Sequence, residues 1–294
     1  MKKVVVVIVF IILIFCVIGC KQSNATKKEI KKPSRETVKP SNNVSENTVS
    51  QKQTTNIPVV EPTIEPTIKP TIEPTIKPIK EPSKKGLIVI DAGHQAKQDS
   101  GVEPIGPGAT ETKKKVSSGT RGSETGLYEY KLNLIVALKL QNVLENEGYQ
   151  VIMTRTTNNV DISNAKRAQI ANDANADVLI RLHANGSENS SVNGVMTICN
   201  TKSNPYNSDI YNQSRKLSEL ILSGILNTTN ANSKGVWETD TMTGINWSKV
   251  PTTIVEMGYM TNEKEDKLLA TEEYQSKIVQ GISHAINQYF EEVE

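Results

Sequence analysis

Cysteine is scarce in this chain: Cys16, Cys20 and Cys199 are the three present among 294 residues. Three cannot build a disulfide framework or a Cys-rich zinc knuckle. Histidine is equally rare, with three residues, so any metal chemistry must draw on carboxylates as well. Long apolar runs are missing too. The longest, residues 4–18, has 15 residues, short of the roughly 20 that span a bilayer. Hydrophobic residues make up 36%, below the 45–50% or so of ordinary globular domains. The deficit is local, because nine of the 13 prolines fall within residues 33–82. Beyond residue 85 the chain also lacks a surplus of positive charge. Residues 1–85 hold 15 Lys/Arg and 7 Asp/Glu, net +8, and residues 86–294 hold 19 and 25, net −6. An acidic folded portion excludes a basic nucleic-acid-binding domain.

The N-terminus has the layout of a signal peptide: Met1-Lys2-Lys3, the short apolar core, then Gly19-Cys20. The stretch Val17-Ile18-Gly19-Cys20 resembles the bacterial lipobox. It implies removal of residues 1–19 and a mature chain that begins at a lipid-bearing Cys20. The plainer alternative is an uncleaved N-terminal anchor; both put the remainder outside the membrane. Residues 20–85 are expected to form a disordered tether, since Lys, Ser, Asn, Thr and Pro offer too little apolar surface to offset ordering entropy. From Pro58 to Pro82 proline recurs at every fourth position. That spacing favours polyproline II over a stacked repeat. Its lysines read as a solvated spacer.

After Gly86 the pattern changes to alternating strands and helices. Leu87-Ile88-Val89-Ile90 is continuous and apolar, as a strand buried on both faces requires. Further strands are expected over residues 150–154, 177–183, 194–199 and 252–260. Helical periodicity marks residues 132–144, 162–174, 210–226 and 274–290. Such alternation predicts an α/β three-layer sandwich: a mostly parallel, mixed sheet of about six strands with helices on both faces. Residues 86–294 suffice for one such domain.

Two of the histidines sit at strand ends, His94 after Ile88-Val89-Ile90-Asp91-Ala92-Gly93 and His183 after Val178-Leu179-Ile180-Arg181-Leu182. Ligands of open α/β sheets bind outside such ends. His284, in the last helical segment, reads as a helix-face residue. A hydrolytic zinc site takes three protein ligands, His₂Glu among the familiar sets. Spacing alone leaves Glu124, Glu129 and Glu256 open as the third. Glu129 begins a helix, where a carboxylate is favoured electrostatically. Glu256 lies inside the apolar run Thr253-Ile254-Val255-Glu256-Met257-Gly258, where an ionisable group is costly unless paired or functional.

Ile88-Val89-Ile90-Asp91-Ala92-Gly93-His94 is followed by Glu129 with Leu132-Asn133-Leu134. Next come Thr154-Arg155, Arg167, His183-Ala184-Asn185, and Val255-Glu256-Met257-Gly258-Tyr259-Met260-Thr261-Asn262. In that order the set resembles N-acetylmuramoyl-L-alanine amidases of the amidase-3 type. The resemblance covers residues 86–291 or so. It implies that His94, Glu129 and His183 bind one Zn²⁺ and that Glu256 is the catalytic acid/base. The implied substrate is the amide between N-acetylmuramic acid and L-alanine in peptidoglycan.

With the lipid, this implies an enzyme anchored at the outer face of the cytoplasmic membrane and reaching into the cell wall. A monomer is expected, with no nucleic-acid partner. Departures are few. Ala92 and Gln95 flank the first histidine where Pro and Gly are commoner, and Arg181 stands where a small Ser is frequent. The 34 residues between His94 and Glu129 are about twice what the resemblance leads one to expect. They are predicted to form a solvated loop or a substrate clamp, with Arg121 and Lys113-Lys114-Lys115 near stem carboxylates. Cys199 is expected in a buried strand, and Trp237 and Trp247 are expected to pack. The rival functions are a zinc peptidase cutting the stem peptide and a non-catalytic wall-binding or sensing lipoprotein.

Overall fold

A computed structural model describes residues 85–293. The expected signal peptide, Cys20 and the expected tether of residues 20–85 lie outside the described residues, save Lys85. Along the chain the strands are β1 (Leu87–Ala92), β2 (Asp99–Pro104), β3 (Thr112–Val116), β4 (Gln150–Met153), β5 (Val178–Asn185), β6 (Val195–Cys199), β7 (Ser233–Glu238) and β8 (Thr252–Tyr259). The helices are α1 (Glu129–Asn146), α2 (Asn164–Asp173), α3 (Tyr211–Thr229), α4 (Thr243–Asn246), α5 (Glu263–Leu269) and α6 (Glu272–Val293).

Strand alternation decides the layers, because successive side chains point to opposite faces. Ile88, Ile90 and Ala92 of β1, with Val178, Ile180 and Leu182 of β5, face a core shared with α1, α3 and α6. Val89 and Leu179 face the other way, onto Ala168 and Ala171 of α2. Ile198 and Ile254 meet Ile245 of α4. Helices therefore cover both faces of one sheet of six strands, ordered β4-β1-β5-β8-β6-β7. Its strands are parallel except where β6 runs antiparallel to β8. This is the expected three-layer α/β architecture. Among the described residues no helix is long and apolar enough to cross a membrane.

Five elements, β2, β3, β7, α4 and α5, are absent from the sequence reading. Strand β7, Ser-Lys-Gly-Val-Trp-Glu, lies at a sheet edge and is only partly buried, so it carries no apolar run. Helix α5 is short, with Asn262 capping it through the backbone N–H groups of Lys264 and Glu265.

The long stretch after His94 is not a plain loop. β2 and β3 pair antiparallel within it, and the hairpin is tied to the body. Asn164 donates to the Lys115 carbonyl at 2.9 Å, and Trp247 Nε1 to the Pro104 carbonyl at 2.9 Å. Its strands read Asp-Ser-Gly-Val-Glu-Pro and Thr-Lys-Lys-Lys-Val, with no apolar alternation to betray them. The same stretch is also fastened near Glu129, where Asp266 accepts from the backbone of Glu124 and Thr125 at 2.8 Å each.

Candidate metal and catalytic site

β1, β5 and β8 are adjacent parallel strands whose carboxyl ends share one edge of the sheet. His94 follows β1 with a φ of 61°, a left-handed backbone that non-glycine residues adopt rarely. His183 in β5 pairs in register with Glu256 in β8, so both project from one face about 4.8 Å apart. Glu129 is the first residue of α1. Its Oε2 accepts from Thr120 N at 2.8 Å, and its Oε1 from Ala184 N at 3.2 Å.

The three donor atoms form a triangle. His94 Nε2 is 3.0 Å from Glu129 Oε1, and His183 Nδ1 is 3.2 Å from the same oxygen. The two imidazole nitrogens are 3.2 Å apart. Tetrahedral zinc, with bonds of about 2.0–2.1 Å, takes donors roughly 3.3 Å apart. The chemistry of the donors agrees. His94 Nδ1 lies 3.0 Å from the Ser117 carbonyl and donates there, which turns Nε2 toward Glu129. Two imidazole nitrogens and one carboxylate oxygen are a familiar zinc donor set.

Burial lowers the His183 pKa to about 4 against the opposing pull of Glu129, so this imidazole is neutral as a ligand must be. Burial alone would raise the Glu129 carboxyl, but its contacts with His183 and His94 hold it well below the usual carboxylate range. His94, Glu129 and His183 are also the one group of three or more His, Cys, Asp or Glu among the described residues with donors close enough to hold an ion.

Glu256 stands beside this triangle. Its Oε2 is buried without a hydrogen-bond partner among the described residues. Burial, and then the charge of Glu129, push its carboxyl up to about 8, with Arg181 opposing. Two clefts meet at His94, His183 and Glu256, one of about 570 Å³ and one of about 360 Å³.

A buried ionic scaffold holds the first histidine in place. Asp91 accepts from Arg167 at 2.7 Å, Arg181 at 2.9 Å and Thr154 at 2.6 Å. Arg167 also reaches the His94 carbonyl at 3.1 Å. Arg155 binds the carbonyls of Ala92, Gly93 and Tyr130, at 2.7, 3.0 and 2.7 Å, and so pins the turn before His94 to the start of α1. Sequence reasoning missed this scaffold. Its available signal was Asp91, an acid inside an apolar strand.

The remaining candidates fall elsewhere. Glu124 turns to Lys267 at 3.8 Å and is not in the triangle. His284 is exposed on α6 and Cys199 is buried in β6. Arg121 lies over the Tyr128 ring, 4.8 Å from its centroid, and donates to the Gly126 carbonyl. Trp247 is partly buried against the second core, whereas Trp237 is 44% exposed rather than packed.

Residues 88–288 match the family model described as N-acetylmuramoyl-L-alanine amidase. The chain belongs to this amidase family. Residues 53–86 match a second model, described as a PT disordered repeat.

Among curated relatives, the amidase LytC of Bacillus subtilis is 29% identical over 173 residues, 59% of this chain and 33% of LytC. The uncharacterized protein YqiI of the same organism is 28% identical over 176 residues, 60% of this chain and 80% of YqiI. Among solved amidases, that of Clostridium difficile 630 superposes with a TM-score of 0.59 at 26% identity, over 71% of this chain and 98% of its own.

Proposed function

We propose that this member of the amidase family hydrolyses the amide joining N-acetylmuramic acid to L-alanine in peptidoglycan, with one zinc ion held by His94, Glu129 and His183. The observation that carries the reading is the 3.0–3.2 Å donor triangle beside a buried, unpartnered Glu256 in a domain that matches the family over residues 88–288. Zinc in such a set lowers the pKa of water toward neutrality and polarises a carbonyl.

The protein's own groups do the rest. Ser117 and Thr120 fix the orientation of His94 and Glu129. Glu256 takes a proton from the attacking water and returns it to the departing alanine nitrogen. Burial raises the Glu256 carboxyl above the usual range, as suits a group that both accepts and gives a proton. Glu256→Gln removes the proton acceptor while keeping shape. The variant should fold and hold zinc normally yet lose about 10²–10⁴-fold in amide cleavage. Retained turnover would contradict the assignment.

The lipobox-like Val17-Ile18-Gly19-Cys20 supports a further part of this reading: an enzyme anchored through lipid on Cys20 at the outer face of the cytoplasmic membrane, acting on the wall as a monomer. Fatty-acid labelling of cells making the wild type and Cys20→Ala tests the anchor. Label is expected on the first alone; equal labelling would contradict it.

A further inference from the structure

The two clefts that meet at the donor triangle differ in charge. The larger is bordered by Asn185, Gly186, Ser187, Glu188 and Thr261, and holds carboxylates but no lysine or arginine. The smaller holds three cations, Arg181, Lys113 and Lys114, against one carboxylate, Glu256.

Arg181 is built into this smaller cleft rather than draped over it. It is 3% exposed. Its Nε donates to Asp91 and its Nη2 to Asn164, both at 2.9 Å. Those two bonds fix the guanidinium plane and leave Nη1 without a hydrogen-bond acceptor among the described residues. The fold makes room for that nitrogen, since a Cβ on Gly244 would overlap Nη1. Lys113 spans the cleft from the hairpin, its Nζ donating to the Thr241 carbonyl at 2.5 Å. Lys114 follows it on β3.

A planar arginine with an open N–H, seconded by two ammonium groups, is matched to a carboxylate. A substrate whose reacting amide lies at the triangle must send one half into each cleft. In the reaction proposed above, the acyl side carries a hydroxyl-rich sugar and the amine side a peptide with free carboxylates. We propose that the Arg181 cleft is the stem-peptide subsite, with Arg181, Lys113 and Lys114 receiving a stem carboxylate, and that the larger cleft, which has carboxylates and no cation to attract one, takes the glycan. Naming the ligand rests on the amidase reading; the charge asymmetry does not.

The test uses product peptides, which need no turnover. An L-alanine-initiated stem peptide with free carboxylates and the same peptide fully amidated are titrated calorimetrically into the full-chain, zinc-loaded protein. The free acid should bind at least about tenfold more tightly, the worth of one charge-assisted hydrogen bond. Arg181→Met and the Lys113→Ala/Lys114→Ala pair should each reduce that ratio several-fold, with Arg181→Lys retaining part of it. Equal affinities in the wild type, or a ratio unchanged in the variants, would overturn the proposal. If Arg181→Met does not fold, the lysine pair on the hairpin decides. Hydrolysis is measured separately. Failure to cleave intact muropeptides counts against the amidase reading, and only the acid-to-amide binding ratio counts against the subsite.

Discussion

Gly93 and His183 share a space that holds only one side chain. A Cβ on Gly93 would overlap Cε1 and Nε2 of the imidazole, so the glycine in the turn before the first histidine is what lets the second reach the triangle. Gly93→Ala should leave the sheet intact but displace His183, weakening zinc binding about 10–100-fold, as disturbing a ligand's surroundings usually does. Metal affinity and far-ultraviolet circular dichroism, measured together, check this. Unchanged affinity would show that the ring does not need its present position.

Removing the metal should loosen the fold as well as stop the chemistry. The triangle gathers two imidazole nitrogens and a carboxylate oxygen 3.0–3.2 Å apart, a set that suits one bound cation. Any ion bound only by the folded state stabilises it by mass action, by about 3–4 kcal/mol when present at several hundred to a thousand times its Kd. A chelator should therefore lower the thermal midpoint, and zinc should restore it. His94→Ala and His183→Ala should hold no metal by elemental analysis and show no response to either.

Asp91 sets an acid limit on stability. Burial alone would raise its pKa, but Arg167 and Arg181 hold it well below the usual range. With the folded pKa below the unfolded one, its contribution is complete above about pH 4 and is lost as pH falls toward the folded value. Asp91→Asn leaves two buried guanidinium groups short of their counter-charge and should cost about 3–5 kcal/mol at pH 7. In denaturant titrations the gap between wild type and variant should narrow below pH 4. A gap independent of pH would contradict this role.

Much of the fold was legible because burial writes itself into sequence. Leu87-Ile88-Val89-Ile90 could only be a strand covered on both sides, and both histidines sat at strand ends. Glu256 stood out as an acid among apolar neighbours. Asp91 had the same signature and went unread, because its partners Arg167 and Arg181 lie 76 and 90 residues away. Strands β2 and β3 are mostly polar and exposed and are tied down by distant residues, Asn164 and Trp247, while the edge strand β7 is held by pairing with β6; no local pattern encodes either. Choosing Glu129 over Glu124 needed the path of the chain between them. Thr120 N holds Glu129 in the triangle, whereas Lys267 draws Glu124 away.

His94, Glu129, His183 and Glu256 are proposed to cut the bond between sugar and peptide together. Mass spectrometry of purified peptidoglycan digested by the protein, with and without a zinc chelator, is the decisive measurement. Stem peptides with a free L-alanine amino terminus should be released, should be absent under chelation and should return with zinc. A new amine inside the stem peptide, or release that ignores the chelator, would contradict that assignment.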